Sequence, residues 1–352
     1  IDATVLEQAR DLEVVGAGLG LASNAVQALE RLGVSDQVRA RGEAAGTLVA
    51  RKPSGASVIE LPLAGREMLG VHRADLQEVL AGALGDGLRL SAACTGFRDE
   101  GERVTVSLAD GDQVEGDVLV GADGLRSKTR AWLLHDGEPA YAGYTGWRAV
   151  TELEDASLRG RMSETWGRGV RFGLMPIGGG RLYWFVSESR VEPEAPMVPG
   201  DRDHLASLVS GWHDPVQAAI ASTPTQAISG TGIYARPPAG RWGLERVTLL
   251  GDAAHPMTPD LSQGAAQALE DAVVLAASLR DVDDPVIGLR AYEALRRRRT
   301  APIVKRSRAA GRLAQSSGRF GTSLRDFVMG SLPNRLHGIQ QGRIVDTELP
   351  AL

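Results

Sequence analysis

A doubly wound α/β domain interrupted by an inserted β-rich domain is the fold that this sequence predicts. Three observations lead there. Short apolar strands alternate with helical stretches toward both ends of the chain, a β-rich stretch fills the middle, and two long helical patterns follow the last buried strand. The 352 residues suffice for one large or two ordinary domains, each with a real core.

Residues 3–7 (ATVLE) read as a short buried strand that ends in an acid, Glu7. Residues 23–32 carry apolar spacing suited to a helix, with Gly33 behind them as a stop. Alternating and β-branched segments within 46–62 fit a hairpin, and 72–84 (HRADLQEVLAGAL) is an amphipathic helix. Three strands follow at 88–90, 104–108 and 114–120, the last two joined by the turn Ala109-Asp110-Gly111-Asp112. Residues 144–190 are β-rich, with 171–175 and 182–186 paired around Gly178-Gly179-Gly180. A helix over 203–221 precedes a short apolar strand at 247–250, and helices at 263–279 and 285–315 complete the pattern. The stretch beyond Ser316 is weakly patterned, and no repeat or low-complexity segment is visible.

The apolar fraction of 43% and charged fraction of 24% are those of a soluble globular chain. Thirty-nine basic against 44 acidic residues give no nucleic-acid footprint. The one dense basic stretch, Arg296 to Arg299 followed by Lys305, Arg306, Arg308 and Arg312, reads as a solvated helix face. A single cysteine, Cys94, rules out an internal disulfide. No apolar run approaches the ~18 residues of a membrane span, and no signal peptide is visible, so a cytoplasmic enzyme is the expectation. Glycine, 43 residues or about 12% against a usual ~7%, points to many tight turns and close backbone approaches.

The chemistry concentrates in four places. In VTLLGDAAHPMTPDLSQGAA (247–266) a buried strand stops at Gly251, and Asp252 stands at its carboxyl end, where open α/β sheets place ligands. A carboxylate there can accept hydrogen bonds from a sugar-like polyol. Gln263-Gly264-Ala265 then opens a long helix whose free N–H groups favour negative charge. A ligand-free strand–loop–helix connection is the competing reading. In DVLVGADGLRSKTR (117–130), Asp123 is placed to orient its neighbouring backbone and Arg126, or is simply a capping aspartate. Arg73 and Gln77, four apart in HRADLQ, share a helix face near its start, as ligand contacts or as surface polarity. Glu7 ends its strand where dinucleotide folds hold a ribose.

Together GDAAHPMTPDLSQGA, VGADGLRSKTR, HRADLQ and the strand-end Glu resemble the single-component FAD-dependent aromatic hydroxylases, the para-hydroxybenzoate, salicylate and urate hydroxylase type. The resemblance runs from Glu7 to about Arg312. It implies a Rossmann-like FAD-binding domain built from 1–44, 63–143 and 236–315, a mixed β-sheet substrate domain from 45–62 and 144–235, and a C-terminal tail at 316–352. By motif, Asp252 would hold the ribityl chain, while the amides of Gly264 and Ala265, with Gln263 before them, would face the flavin. Pro259 would lie against the ring, Asp123 would support the pyrophosphate region, and Glu7, Arg73 and Gln77 would contact the cofactor. His255 belongs to the shared motif and reads as structural. Arg171 and Tyr183 resemble the residues with which urate-type members hold substrate, or else are surface or packing residues.

The implied activity is insertion of one oxygen atom from dioxygen into an aromatic or similarly flat molecule, at the expense of NADPH or NADH, by a monomer or homodimer. An epoxidase of an alkene or polyene, a flavin-free NAD-dependent dehydrogenase and an inactive relative of the same fold are the rivals. The family's opening strand and glycine-rich loop would precede Ile1. The segment Val14-Val15-Gly16-Ala17-Gly18-Leu19-Gly20-Leu21 does not replace them, because its third glycine position holds Leu21 and no acidic strand end follows about 20 residues later. Residues 1–352 as written are therefore expected to bind FAD poorly.

Overall fold

The computed structural model describes the chain apart from residues 13–16, 64, 154, 193–197 and 332–333. Val14, Val15 and Gly16 of the glycine-containing segment thus lie outside the described residues; Gly18 onward is extended strand running into a helix.

The strands in chain order are β1 (Val5–Leu6), β2 (Gly18–Ala22), β3 (Glu43–Ala45), β4 (Thr47–Arg51), β5 (Ser57–Pro62), β6 (Met68–His72) and β7 (Leu88–Arg89). Then come β8 (Cys94–Asp99), β9 (Val104–Leu108), β10 (Gln113–Gly116), β11 (Leu119–Gly121) and β12 (Ala140–Glu152). The remainder are β13 (Arg161–Trp166), β14 (Val170–Pro176), β15 (Arg181–Ser189), β16 (Val198–Pro199), β17 (Ser229–Ala235) and β18 (Val247–Leu249). The helices are α1 (Ser23–Arg31), α2 (Ser35–Arg41), α3 (Arg73–Leu84), α4 (Lys128–Leu134), α5 (Arg202–Leu208) and α6 (Asp214–Ala221). Four more follow: α7 (Gly264–Arg280), α8 (Pro285–Ala314), α9 (Arg319–Ser331) and α10 (Asn334–Val345).

Two parallel pairs, β1–β7 and β11–β18, carry the α/β half of the molecule. Val247 and Leu249 of β18 pack with Val273 and Leu275 of α7 and with Leu289 and Tyr292 of α8 in one apolar core. The first long helix is rich in Ala and Leu, good helix formers. The second starts on an Asp284 cap and Pro285, which loses nothing by lacking an N–H at that position. The β-rich half is an eight-stranded sheet in the order β16-β17-β12-β15-β14-β13-β4-β5. Strand alternation divides its residues cleanly. Trp147, Phe172, Leu174, Trp184 and Val186 pack against α5 and α6, while Arg148, Arg171, Met175, Tyr183 and Phe185 point to the opposite face.

Several sequence expectations change. The strand expected to be buried at 3–7 has Val5 44% exposed, and β8 was not expected. The apolar stretch 114–120 is two strands, because the chain leaves the β9–β10 hairpin after Gly116 and enters the parallel pair at Leu119. Residues 203–221 form two helices, separated at Gly211 with φ +74° before Pro215 starts the second. The weakly patterned stretch beyond Ser316 contains α9 and α10. Among the described residues, no helix is long and apolar enough to cross a membrane.

The two halves touch where β6 crosses the end of β14. A Cβ on Gly70 would fall 2.1 Å from the Pro176 carbonyl oxygen, so only glycine allows this approach. Gly70→Ala is expected to cost about 1–3 kcal/mol through forced separation of the two backbones. Urea denaturation should show a lowered midpoint at unchanged slope; an unchanged midpoint would mean that this crossing does not fix the halves.

Candidate functional site

Strands β11 and β18 run parallel with Gly121 opposite Leu249, so their carboxyl ends deliver Asp123 and Asp252 to one edge of the molecule. Asp123 is engaged locally. Its Oδ1 accepts from Ser127 Oγ at 2.5 Å and its Oδ2 from Thr129 N and Oγ1 at 3.1 and 3.2 Å. These bonds fix the start of α4, where Ser127 caps Arg130 N at 2.8 Å. Arg126, expected to be oriented by Asp123, instead pairs with Glu138 at 3.6 Å and lies 5.1 Å over the Tyr234 ring. Arg130 is 1% exposed and donates from NH1 to the carbonyls of Ala253 and Ala254, both at 2.9 Å. One acidic motif thereby props the loop of the other.

Asp252 keeps its carboxylate for something else. It is open to solvent and makes no hydrogen bond with the described residues. Yet it is hemmed in by protein atoms, and this burial pushes its carboxyl up against the opposing pull of His255 and Arg73. That combination describes a carboxylate on the wall of a cleft. The mouth of α7 lies beside it: a Cβ on Gly264 would sit 3.8 Å from Asp252 Oδ1. Helix α7 begins without a side-chain cap and without an acid in its first turn, so its leading amides stay available for an anionic ligand group. Gly264 and Ala265 are half-exposed there, and Pro259, five residues before Gly264, is exposed in the preceding turn.

Gln263 is placed differently from its neighbours. Its side chain turns inward, 1% exposed, and its Oε1 accepts from Asn24 and Gln267, each at 3.0 Å. It belongs to a buried polar network beneath the cleft. Glu270 accepts from Asn24 at 2.7 Å, Gln267 at 2.9 Å and Arg296 at 2.5 Å. Asp271 accepts from Gly251 N at 2.9 Å and Arg296 Nε at 2.5 Å, and lies 2.6 Å from His255 Nε2. His255 is therefore scaffold, buried against Asp271 and the Trp242 ring. The reading of the basic stretch as a solvated face fails at Arg296, 3% exposed, and at Arg299, which bonds Glu270 and the Ile344 carbonyl.

Of the remaining expected residues, Arg73 is tied to Asp252 through its charge, and the others make contacts of their own. Arg73 starts α3, its N–H donating to Ala17 O at 2.8 Å, and its charge acts on Asp252. Gln77 lies one turn further along the helix, half-buried. Glu7 follows β1 and accepts from Ala9 N at 2.8 Å. Tyr183 hangs from the sheet onto Gly18, where a Cβ would come within 2.5 Å of the Tyr183 ring. Arg171 is buried and paired: NH1 reaches Glu164 at 3.1 Å and NH2 reaches Asp260 at 2.6 Å, while its Nε finds no partner among the described residues. Tyr144 OH donates to the other oxygen of Asp260 at 2.8 Å. Asp260 directly follows Pro259, so Arg171 and Tyr144 clamp the turn that presents that proline. Sequence reasoning missed Asp260, although it lies within the quoted motif; its partners are distant in sequence. Among the described residues, no group of three His, Cys, Asp or Glu could hold a metal ion.

A solvent-open carboxylate beside an uncapped helix start suits a cofactor with a polyol arm and an anionic edge. Residues 1–307 match the family described as FAD binding domain. The chain is 41% identical over 332 residues to an aurachin C monooxygenase/isomerase of Stigmatella aurantiaca, covering 92% of this chain and 86% of that one. It is 34% identical over 325 residues to an FAD-dependent urate hydroxylase of Klebsiella pneumoniae, covering 88% and 83%. In structure it resembles Klebsiella pneumoniae HpxO solved with FAD and uric acid, with a TM-score of 0.88, 29% identity, and 96% and 89% of the two chains covered.

The buried network sets an acid limit. Burial alone would raise the Asp271 carboxyl, but His255 and Arg296 outweigh it and hold it below the ordinary range, as Arg296 and Arg299 do for Glu270. A carboxyl depressed in the fold contributes stability above its unfolded value, about pH 4, and loses it as pH falls through the folded value. Stability should therefore decline below about pH 4, and Asp271→Asn should cost about 3–5 kcal/mol at neutrality by leaving Arg296 under-compensated. Urea midpoints at pH 7 and under acid test this; a neutral-pH midpoint equal to the parent's would contradict it.

Proposed function

Because this chain belongs to the FAD binding domain family, we propose that it is an FAD-dependent monooxygenase that hydroxylates an aromatic or similarly flat organic molecule with dioxygen and NAD(P)H. The observation that carries the reading is the free carboxylate of Asp252 beside the uncapped start of α7. When bound, reduced FAD supplies the oxygen-activating chemistry. The chain supplies position, charge and shelter.

In this proposal Asp252 accepts from the ribityl hydroxyls, Glu7 from the ribose, and Arg73 and Gln77 border the cofactor. The amides of Gly264 and Ala265 stabilise negative charge on the pyrimidine edge, a preorganised donor pair at a helix start. Gln263 contributes only through its backbone, since its side chain is committed inward. Asp123 acts at one remove, by ordering α4 and with it Arg130 under the Ala253–Ala254 carbonyls. The substrate ring lies between Pro259 and the sheet, with Tyr183 orienting it and Phe185 and Met175 excluding water. Arg171 works through Asp260, holding the Pro259 turn at a fixed height above the ring.

Two measurements test this, both with FAD in excess. Asp252→Ala should weaken FAD binding by about tenfold or more, the loss of roughly 1.4 kcal/mol, read by flavin fluorescence titration. Urate, hydroxybenzoates and related hydroxylated rings, with alkenes and polyenes beside them, should be screened for stimulated NADH or NADPH oxidation, with label from isotopic dioxygen in the product. Full FAD retention in the variant would remove Asp252 from the site. Label entering only alkenes would replace hydroxylation by epoxidation, and no stimulation by any ring would sink the substrate class.

A further inference from the structure

The outward face of α8 plays no part in the site, and its chemistry is distinctive. Between Pro285 and Ala314 the chain carries nine Arg or Lys and a single acid, Glu293, within a protein whose net charge is −5. The acid is buried and bonded to Thr248 and Arg290. Arg296 and Arg299 are consumed by the inner network, as described above. Five cations remain exposed: Arg298, Lys305, Arg306, Arg308 and Arg312. None of them forms an ion pair with a described residue.

Arg298, Lys305 and Arg312 are seven residues apart and so share one stripe of the helix, with Arg306 and Arg308 on its flanks. Apolar side chains protrude among them. Ile287 is 63% exposed, Leu295 59% and Leu313 47%, and Pro302 is also at the surface. A merely solvated basic face would not need three large apolar groups in water, and a nucleic-acid face would alternate its cations with polar or aromatic groups. A 30-residue helix runs for about 45 Å along its axis, enough to offer an extended surface on either side of Pro302. The opposite face of the same helix braces the site: a Cβ on Gly311 would fall 2.3 Å from Asp260 Oδ2.

We propose that this face of α8 docks on an anionic bilayer surface, its cations among lipid headgroups and its leucines in the interface, with no segment crossing the membrane. Cationic residues near such a surface add attraction one by one, and exposed apolar side chains add shallow insertion. Docking here would place the turn bearing Pro259 within one helix diameter of the lipid.

Vesicle co-sedimentation of the full chain tests the proposal. With phosphatidylcholine vesicles in which one third of the lipid is phosphatidylserine, the protein should pellet at low salt and be released as salt rises. With pure phosphatidylcholine it should stay in solution. Arg298→Glu/Lys305→Glu/Arg312→Glu should weaken binding more than about tenfold, and the matching triple Gln variant should fall between, covering the case in which charge reversal impairs folding. Leu295→Ser/Leu313→Ser should weaken binding by a smaller factor. Equal pelleting with neutral lipid, no pelleting with anionic lipid, or full binding by the triple Gln variant would overturn the proposal. So would retention of a DNA duplex by this chain while the anionic vesicles stay free of protein, which would assign the face to nucleic acid.

Discussion

Everything at the cleft rests on one buried arginine. Arg296 reaches from α8 into the space under α7 and binds Asp271 and Glu270 together, each at 2.5 Å. Through Asp271 it fixes the Gly251 amide and the His255 ring; through Glu270 it fixes Asn24 of α1 and, by way of Gln267, the start of α7. Buried charges of this kind are tolerable only when nearly every polar atom finds a partner. Here the requirement turns separate elements into a rigid floor. Gly251, which precedes Asp252, and Gln263, which precedes Gly264, are both anchored in that floor, and Gly264 stands beside Asp252 above it.

The roof obeys a different physics. The eight-stranded sheet has an apolar face buried under two helices and a mixed face turned toward the cleft, and alternation along each strand decides which residue belongs to which. Its link to the floor is again ionic, through Arg171 and Asp260, with Tyr144 completing the carboxylate. Burial pushes the Tyr144 hydroxyl up, aided by the charge of Asp260, so it remains a donor at any physiological pH. The clamp thus ties the substrate-facing sheet to the turn that carries Pro259.

Much of the site was readable because it is local. Asp252, Pro259, Gly264 and Ala265 fall within fourteen residues, where strand end, turn and helix start each leave a sequence mark. What could not be read depends on distance. Asp260 gives no sign of its role, since Arg171 and Tyr144 lie 89 and 116 residues away. Arg296 hides in a run of four arginines, because charge in sequence does not tell which side of a helix is covered. The split of residues 114–120 between two sheets was masked by continuous apolar character, which reports burial and not the partner strand. Helix α10 lacks a strong periodic pattern, whereas the amphipathic spacing of α9 was there to be read and was missed.

The pairing of β11 with β18 also governs when the site can exist. Gly121 meets Leu249, 128 positions further along the chain, only after everything between has been made, and α7 must follow before any amide can stand beside Asp252. Contacts this far apart in sequence form late, because a long loop must close first. During synthesis the sheet domain, all of whose strands precede β18, can therefore mature while the cofactor pocket is still in two pieces. Capture of the flavin belongs to the last act of assembly, and a ribosome stalled short of α7 would release a chain with a roof and no floor.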